Sequence, residues 1–460
     1  MASGYHQRLQ EFEILLESDV IDSEALRKLC FLSGCPHEKS IRSRCWKILL
    51  NYLPLERQKW KAELQKQRNL YKQYLQEMII LPGKKMKSKE LSSGELCDHP
   101  LNPNPNSEWS ETFRDNEMLV QIDKDCRRLC PDLSFFQQAT EFPCDDLLNA
   151  MSDVETLRKR VEHCALQTET VSKNRLGITV NMVTKKRTQS EEYALLPDGK
   201  EAHWEVVERI LFVYAKLNPG LNYVQGMNEI LGPIYYTLAS DSDQDCREFA
   251  EADSFFLLTC LMGETRDFFI KTLDDSACGI GNQMRKLTDL LKTLDMPLWQ
   301  QLQDQELRPQ FYAFRWITLL LSQEFFLPDV LRIWDSLFSD SKRFDFLIYL
   351  CCAMLMSVRG DVLKNDFPTN MKLLQGCIIL GSYWDKKNAD VVIHPFTPDN
   401  VPGLQLPETR TKQDTMKYLT MGLLNLFLWC VQDGEGKETL ERTGAFFKLF
   451  FCRTNLQLHK

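Results

Sequence analysis

The reading of the chain turns on residues 203–233, HWEVVERILFVYAKLNPGLNYVQGMNEILGP. Trp204, Val207, Ile210, Leu211, Tyr214 and Leu217 recur three or four apart, which is the period of one helix face. Asn218-Pro219-Gly220 stops that helix, because proline cannot continue it and glycine favours a turn. A second element begins at once. Tyr223-Val224-Gln225-Gly226-Met227-Asn228 sets a neutral amide beside a glycine, where backbone can come close to a bound partner. Taken alone, the ordinary reading is that Gln225 satisfies backbone groups of the turn and Tyr223 fills the core.

The same helical period appears outward from this stretch, at Gln10 to Leu16, Glu24 to Phe31 and Ile41 to Leu53. Hairpin signals and alternating Val, Ile and Thr runs are scarce, so an all-α, multi-helix fold is expected. No fixed-period repeat is visible, which disfavours a superhelical array. With 460 residues, 43% of them hydrophobic, the chain has material for a large core, which excludes disorder throughout. A net charge of -8 leaves no basic field for phosphate backbones, so the expected partner is a protein rather than nucleic acid. The 16 cysteines are scattered and no basic-then-apolar leader opens the chain, which reads as a cytosolic, thiol-rich protein. No stretch is long and uncharged enough for a membrane helix. Phe311 to Leu327 carries Arg315 and Glu324, Phe346 to Val358 is short, and both read as buried core helices.

Three segments read as lying outside the core. Residues 83–105 are an exposed connection, residues 167–200 a polar insertion, and residues 376–460 a proline-spaced tail, partly disordered, whose short apolar runs should pack weakly. The division expected is a helical lead-in over 1–28, a domain over 29–375 and the tail.

Two further stretches stand out, the second of them mostly scaffold. In DNEMLVQIDKDCRRLCPDLSFF (115–136), Met118, Leu119, Ile122, Cys126 and Leu129 make an apolar stripe. Gln121, Lys124, Asp125 and Arg128 share the opposite, exposed side, with Pro131 ending the helix. Asp125 precedes Arg128 by three residues, so its carboxylate can orient the guanidinium, although an isolated surface pair of this kind is worth little. In LPDVLRIWDSLFSD (327–340), Val330, Ile333, Trp334, Leu337 and Phe338 face inward, with Asp329 and Asp335 outside. Loops of the forms GxxxxGK[ST] and GxGxxG, HExxH helices and GxSxG elbows are missing, so no nucleotide site of the chain's own is expected. Cys30, Cys35 and His37, like Cys126 and Cys130, do not complete a four-ligand zinc spacing; no metal is expected, and the thiols read as small hydrophobes.

Together these segments resemble the TBC (Tre2-Bub2-Cdc16) domain family, whose members are GTPase-activating proteins for Rab GTPases. The first family signature is matched by Arg42, Trp46, Leu49 and Leu50 after Gly34 and Pro36. Ile122, Asp125 and Arg128 match the second, Tyr223, Gln225, Gly226, Met227 and Asn228 the third, and Pro328, Asp329, Trp334, Asp335 and Phe338 a fourth. The likeness runs from Leu29 to Gln375 and departs at Leu129, where the family commonly has Thr; it stops at Gln375, where family domains continue with another helix.

The resemblance implies an all-helical fold and a GTP-bound Rab partner. It implies Arg128 as an arginine finger and Gln225 as a glutamine finger, both supplied in trans, with Asp125, Tyr223, Gly226 and Asn228 supporting them. Arg42, Trp46, Pro328, Asp329, Trp334 and Asp335 would be structural. The adjacent Arg127 is a rival that motif spacing disfavours. The chain would be an activator rather than an enzyme on its own substrate, and would need no cofactor, since GTP and Mg²⁺ are held by the partner GTPase. It would regulate vesicle trafficking from the cytoplasm, with peripheral membrane association and endomembrane recruitment reached through the Rab. The alternative is a non-catalytic Rab-binding effector or scaffold.

Overall fold

The computed structural model describes residues 2–80, 108–144, 157–162, 196–270 apart from 198, then 273, 276 and 279–376. All of 83–105, most of 167–200 and the tail beyond 376 lie outside the described residues. The described residues are helical, with no strand among them and two isolated bridges, Val20 to Glu56 and Ala139 to Ala202. The helices used below are α1 (Ala2–Glu17), α2 (Ser23–Ser33), α3 (Ile41–Leu49), α4 (Glu108–Cys126), α5 (His203–Leu217), α6 (Met227–Ala239), α7 (Ile280–Leu294), α8 (Leu327–Ser339) and α9 (Arg343–Ser357). Contacts divide the chain into two compact units, residues 1–60 with 260–460, and residues 61–259.

In the first unit α8 packs against α2, α3 and α9, while α7 packs on α9. Local chemistry fixes α2 at both ends. Asp22 caps its start by accepting from the Glu24 and Ala25 amides, and Gly34 closes it at φ 66 with its N–H on the Cys30 carbonyl. A side chain at Gly34 would be doubly disfavoured, because a Cβ there would meet Arg332 Cδ at 2.6 Å. The centre of this unit is aromatic. Trp46 of α3 lies 6.0 Å from Trp334 and 5.1 Å edge-on from Phe338, both of α8.

Asp335 stands in that centre, fully buried, and not outside as the sequence pattern suggests. Its Oδ1 accepts from Arg42 Nε at 3.1 Å and Trp46 Nε1 at 2.8 Å; its Oδ2 accepts from Arg42 Nη2 at 3.1 Å and the Cys35 amide at 2.8 Å. A buried carboxylate is tolerated when its lone pairs are filled in this way. Asp329 is half-buried in the first turn of α8, and Pro328 sits beside it where a missing N–H does no harm. Phe346 to Ser357 falls in α9 and Val358 caps its end, largely buried as expected. Phe311 to Leu327 is not one helix. A short helix Ala313–Thr318 ends there, and Leu320 and Leu321 take left-handed φ values of 51 and 64.

In the second unit α5 packs against α4 and α6. The helix expected from residues 204–217 forms as α5, closed by Asn218. Glu205 caps its start, accepting from the Ala202 amide at 2.8 Å. Burial goes beyond the apolar face: Glu205, Glu208 and Arg209 are buried as well. Glu205 and Arg209 are tolerated through pairing, since Arg158 holds Glu205, and Arg209 is held by Glu201 and Glu251, whereas Glu208 Oε1 has no hydrogen-bond partner among the described residues.

Candidate functional site

The turn after α4 and the loop before α6 meet on one carboxylate. The α4 helix ends at Cys126, earlier than the Pro131 stop expected, so Arg127 and Arg128 stand in the turn that follows, and Cys130 takes φ 43 there. Asp125, in the last turn of α4, is buried and not on an exposed face. Its Oδ1 accepts from Arg128 Nη2 at 3.0 Å, and its Oδ2 from the Tyr223 hydroxyl at 2.8 Å and Gln121 Nε2 at 3.1 Å. Asn228 completes the tie by donating from Nδ2 to the Asp125 backbone carbonyl at 3.3 Å and to Glu229 Oε1 at 2.8 Å. Burial first, and then the neighbouring Cys126 and Asp125, push the Tyr223 phenol well above its usual range, so it remains a donor.

The two arginines of the turn are treated differently. Arg127 is half-buried, with its Nε on both oxygens of Asp123 at 2.9 and 3.0 Å and its guanidinium 4.6 Å over the Trp204 ring. Arg128 is 68% exposed. Its Nε donates to the Lys124 carbonyl at 3.0 Å, where a cation suits the negative end of α4. The remaining Nη1 has no protein partner among the described residues.

Gln225 sits at the corner of a turn closed by the Met227 amide on the Val224 carbonyl at 3.1 Å. Gly226 occupies the next corner at φ 102, ψ −12, the left-handed value that the second central position of a type II turn requires. The loop is further set by Asn222 at φ 60, whose side chain accepts from the Tyr223 amide at 2.8 Å. Gln225 itself is exposed, and no hydrogen bond holds its side chain among the described residues. It does not serve the turn's backbone.

The structure therefore brings Arg128, Asp125, Tyr223 and Asn228 into one hydrogen-bonded set, with Gln225 and Gly226 on the loop that Tyr223 anchors. Arg42, Trp46, Trp334 and Asp335 form a separate buried cluster, with Pro328 and Asp329 at the start of its helix. The pairing of Arg127 with Asp123 was missed by sequence reasoning, although the four-residue spacing and the indole of Trp204 were both there to read. No helix among the described residues is long and apolar enough to cross a membrane.

Residues 186–363 match the family model of the Rab-GTPase-TBC domain. The chain is 56% identical over 381 residues to TBC1 domain family member 13 of Homo sapiens, covering 82% of this chain and 95% of that protein. It is 38% identical over 435 residues to a TBC domain-containing protein of Schizosaccharomyces pombe, covering 81% of this chain and 70% of the relative. Among solved structures, the Ypt/Rab-GAP domain of Gyp1p superposes with a TM-score of 0.55 at 20% identity, over 92% of this chain and 98% of that one, which is a likeness of fold.

Proposed function

The chain belongs to the Rab-GTPase-TBC domain family, and from that premise we propose that it activates GTP hydrolysis on a Rab GTPase by lending it Arg128 and Gln225. Hydrolysis moves water onto the γ-phosphorus while the bond to the β–γ bridging oxygen breaks, and negative charge spreads over the γ and bridging oxygens. A permanently charged, planar guanidinium is suited to that charge distribution in a way that a lysine ammonium is not. An amide can accept from the attacking water and donate to a γ oxygen at once, which fits Gln225 to orient the nucleophile. The partner holds GTP and Mg²⁺; this chain supplies no cofactor.

The observation that carries the reading is the shared anchoring on Asp125. One buried carboxylate fastens the turn of Arg128 and, through Tyr223, the loop of Gln225, while both terminal groups stay exposed. Positioning with the reactive ends free is what action in trans requires. Arg127, committed to Asp123 and Trp204, becomes the support beneath the finger. The protein would act from the cytoplasm, reach endomembranes through its Rab, and so regulate vesicle trafficking.

The test is phosphate release under single-turnover conditions from a panel of GTP-loaded Rabs with the full chain. At least one Rab should be stimulated on the order of 10³-fold, the lower end of what an arginine finger contributes. Binding to GTP-bound Rabs with no stimulation of any would replace this reading with that of a non-catalytic effector.

A further inference from the structure

Cys45 belongs to no short cysteine spacing in the sequence, yet the fold brings it to Cys30 and Cys35. Cys30 lies in the last turn of α2, Cys35 directly after its glycine cap, and Cys45 in α3. The three sulfurs lie within 4.8 Å of one another, and Cys30 Sγ and Cys35 Sγ are 3.5 Å apart. All three residues are buried, at 0, 3 and 0% exposure. Cys35 is held at both backbone ends, its N–H on Asp335 Oδ2 at 2.8 Å and its carbonyl on Arg42 Nη2 at 2.7 Å. We propose that Cys30, Cys35 and Cys45 form a three-thiolate site for a soft monovalent cation, with copper(I) the fitting ion.

Geometry and charge both favour this occupant. Metal–sulfur bonds of about 2.3 Å put the sulfurs of a trigonal site about 4 Å apart, within the spread found here. Thiolates select soft ions, and a dry, sulfur-only pocket excludes the harder ones. No fourth His, Cys, Asp or Glu joins the three among the described residues. The nearest carboxylate, Asp335, already accepts from Arg42, Trp46 and the Cys35 amide. That leaves a tetrahedral zinc site short of a ligand and suits a three-coordinate ion.

Loading exchanges protons for metal: Cu⁺ and three thiols give a tris-thiolate of charge −2 and three protons. The half-buried Arg332, close enough to feel Cys35 and Asp335, offsets part of that charge. Thiols bind a metal as thiolates, so affinity should fall as pH falls. The bound ion would tie the end of α2 to α3 beside the Arg42, Trp46 and Asp335 cluster.

The full chain, kept reduced under nitrogen, would be isolated from copper-supplemented cells and, separately, equilibrated with copper(I) against bathocuproine disulfonate. Expected are one copper per chain and an X-ray absorption spectrum with three sulfurs at about 2.3 Å and no nitrogen or oxygen. Cys30→Ser, Cys35→Ser and Cys45→Ser should each lower copper retention at least tenfold, and Cys260→Ser should not. Failure to retain copper by either route, a two-sulfur spectrum, retention in all three variants, or four-coordinate zinc in its place would each overturn the proposal. The stoichiometry and spectrum of the unmodified chain decide it even if a variant folds poorly.

Discussion

Two arginine–aspartate pairs in this protein have the same chemistry and opposite settings. Arg42 and Asp335 are 3% and 0% exposed, with the guanidinium Nε and Nη2 and both carboxylate oxygens engaged inside an aromatic core. Arg128 and Asp125 are 68% and 4% exposed, the carboxylate sunk and the guanidinium outside. Where both partners are dehydrated, the pair stabilises only as a unit, and loss of one leaves a charge that nothing compensates. Where only the acid is buried, the arginine contributes little to stability and is available to something else. The difference lies in what surrounds each pair: Trp46 and the Cys35 amide enclose the first, whereas Tyr223 and Gln121 fix the acid of the second from beneath.

The contrast breaks first at the buried pair. Asp335→Ala should cost about 3–5 kcal/mol of stability, because Arg42 is left charged and unpaired in the core; urea unfolding followed by circular dichroism measures it. A loss below about 1 kcal/mol would mean that the cluster is open to water. Next in size, Arg128→Ala and Arg128→Lys should each reduce stimulated hydrolysis on the order of 10²-fold or more while shifting stability by less than about 0.5 kcal/mol. Arg127→Ala sharpens the comparison within a single turn, since it should lower stability by about 1–2 kcal/mol through the loss of Asp123 and Trp204 contacts.

Tyr223→Phe removes one donor from Asp125 and leaves the ring in place. Stimulated hydrolysis should fall about tenfold with Rab affinity nearly unchanged, which a titration of rate against Rab concentration separates. The smallest effect concerns pH. Burial, with Asp123 and Glu205 nearby, raises the Glu208 carboxyl well above its usual range. A raised acid contributes its full stability below its unfolded pKa of about 4.3 and loses it as pH rises toward the folded value. Glu208→Gln should therefore raise the thermal midpoint at pH 8 relative to the unmodified chain, with the gain shrinking toward pH 4.

How far these features could be read from sequence follows the range of the interactions that make them. The α5 helix and its stop were legible, because period and breaker are local signals, and so was a glycine-dependent turn at Gln225. The positions of Asp125 and Asp335 were not. Helical projection assigns a polar residue to the outside unless a partner is known, and the partners of Asp335 lie 293 and 289 residues away. Cys45 was passed over for the same reason, since spacing links Cys30 to Cys35 while only the packing of α3 against α2 brings in the third sulfur. The end of α4 at Cys126 was misread because Leu129 continues the apolar period, although it is buried from a turn. Glu208 and Arg209 escaped notice because an amphipathic reading gives α5 an outer face that the fold then covers.

The central claim is that Arg128 and Gln225 act as one device on one transition state, and a double-mutant cycle on stimulated GTP hydrolysis tests it most directly. Single-turnover rates would be measured for the full chain, Arg128→Ala, Gln225→Ala and the double variant, against the Rab that responds best. Each single change should remove most of the stimulation, with the double variant scarcely worse than either. Costs that add in full, or near-native stimulation by Arg128→Ala while Arg127→Ala loses it in a folded chain, would contradict the assignment of the fingers.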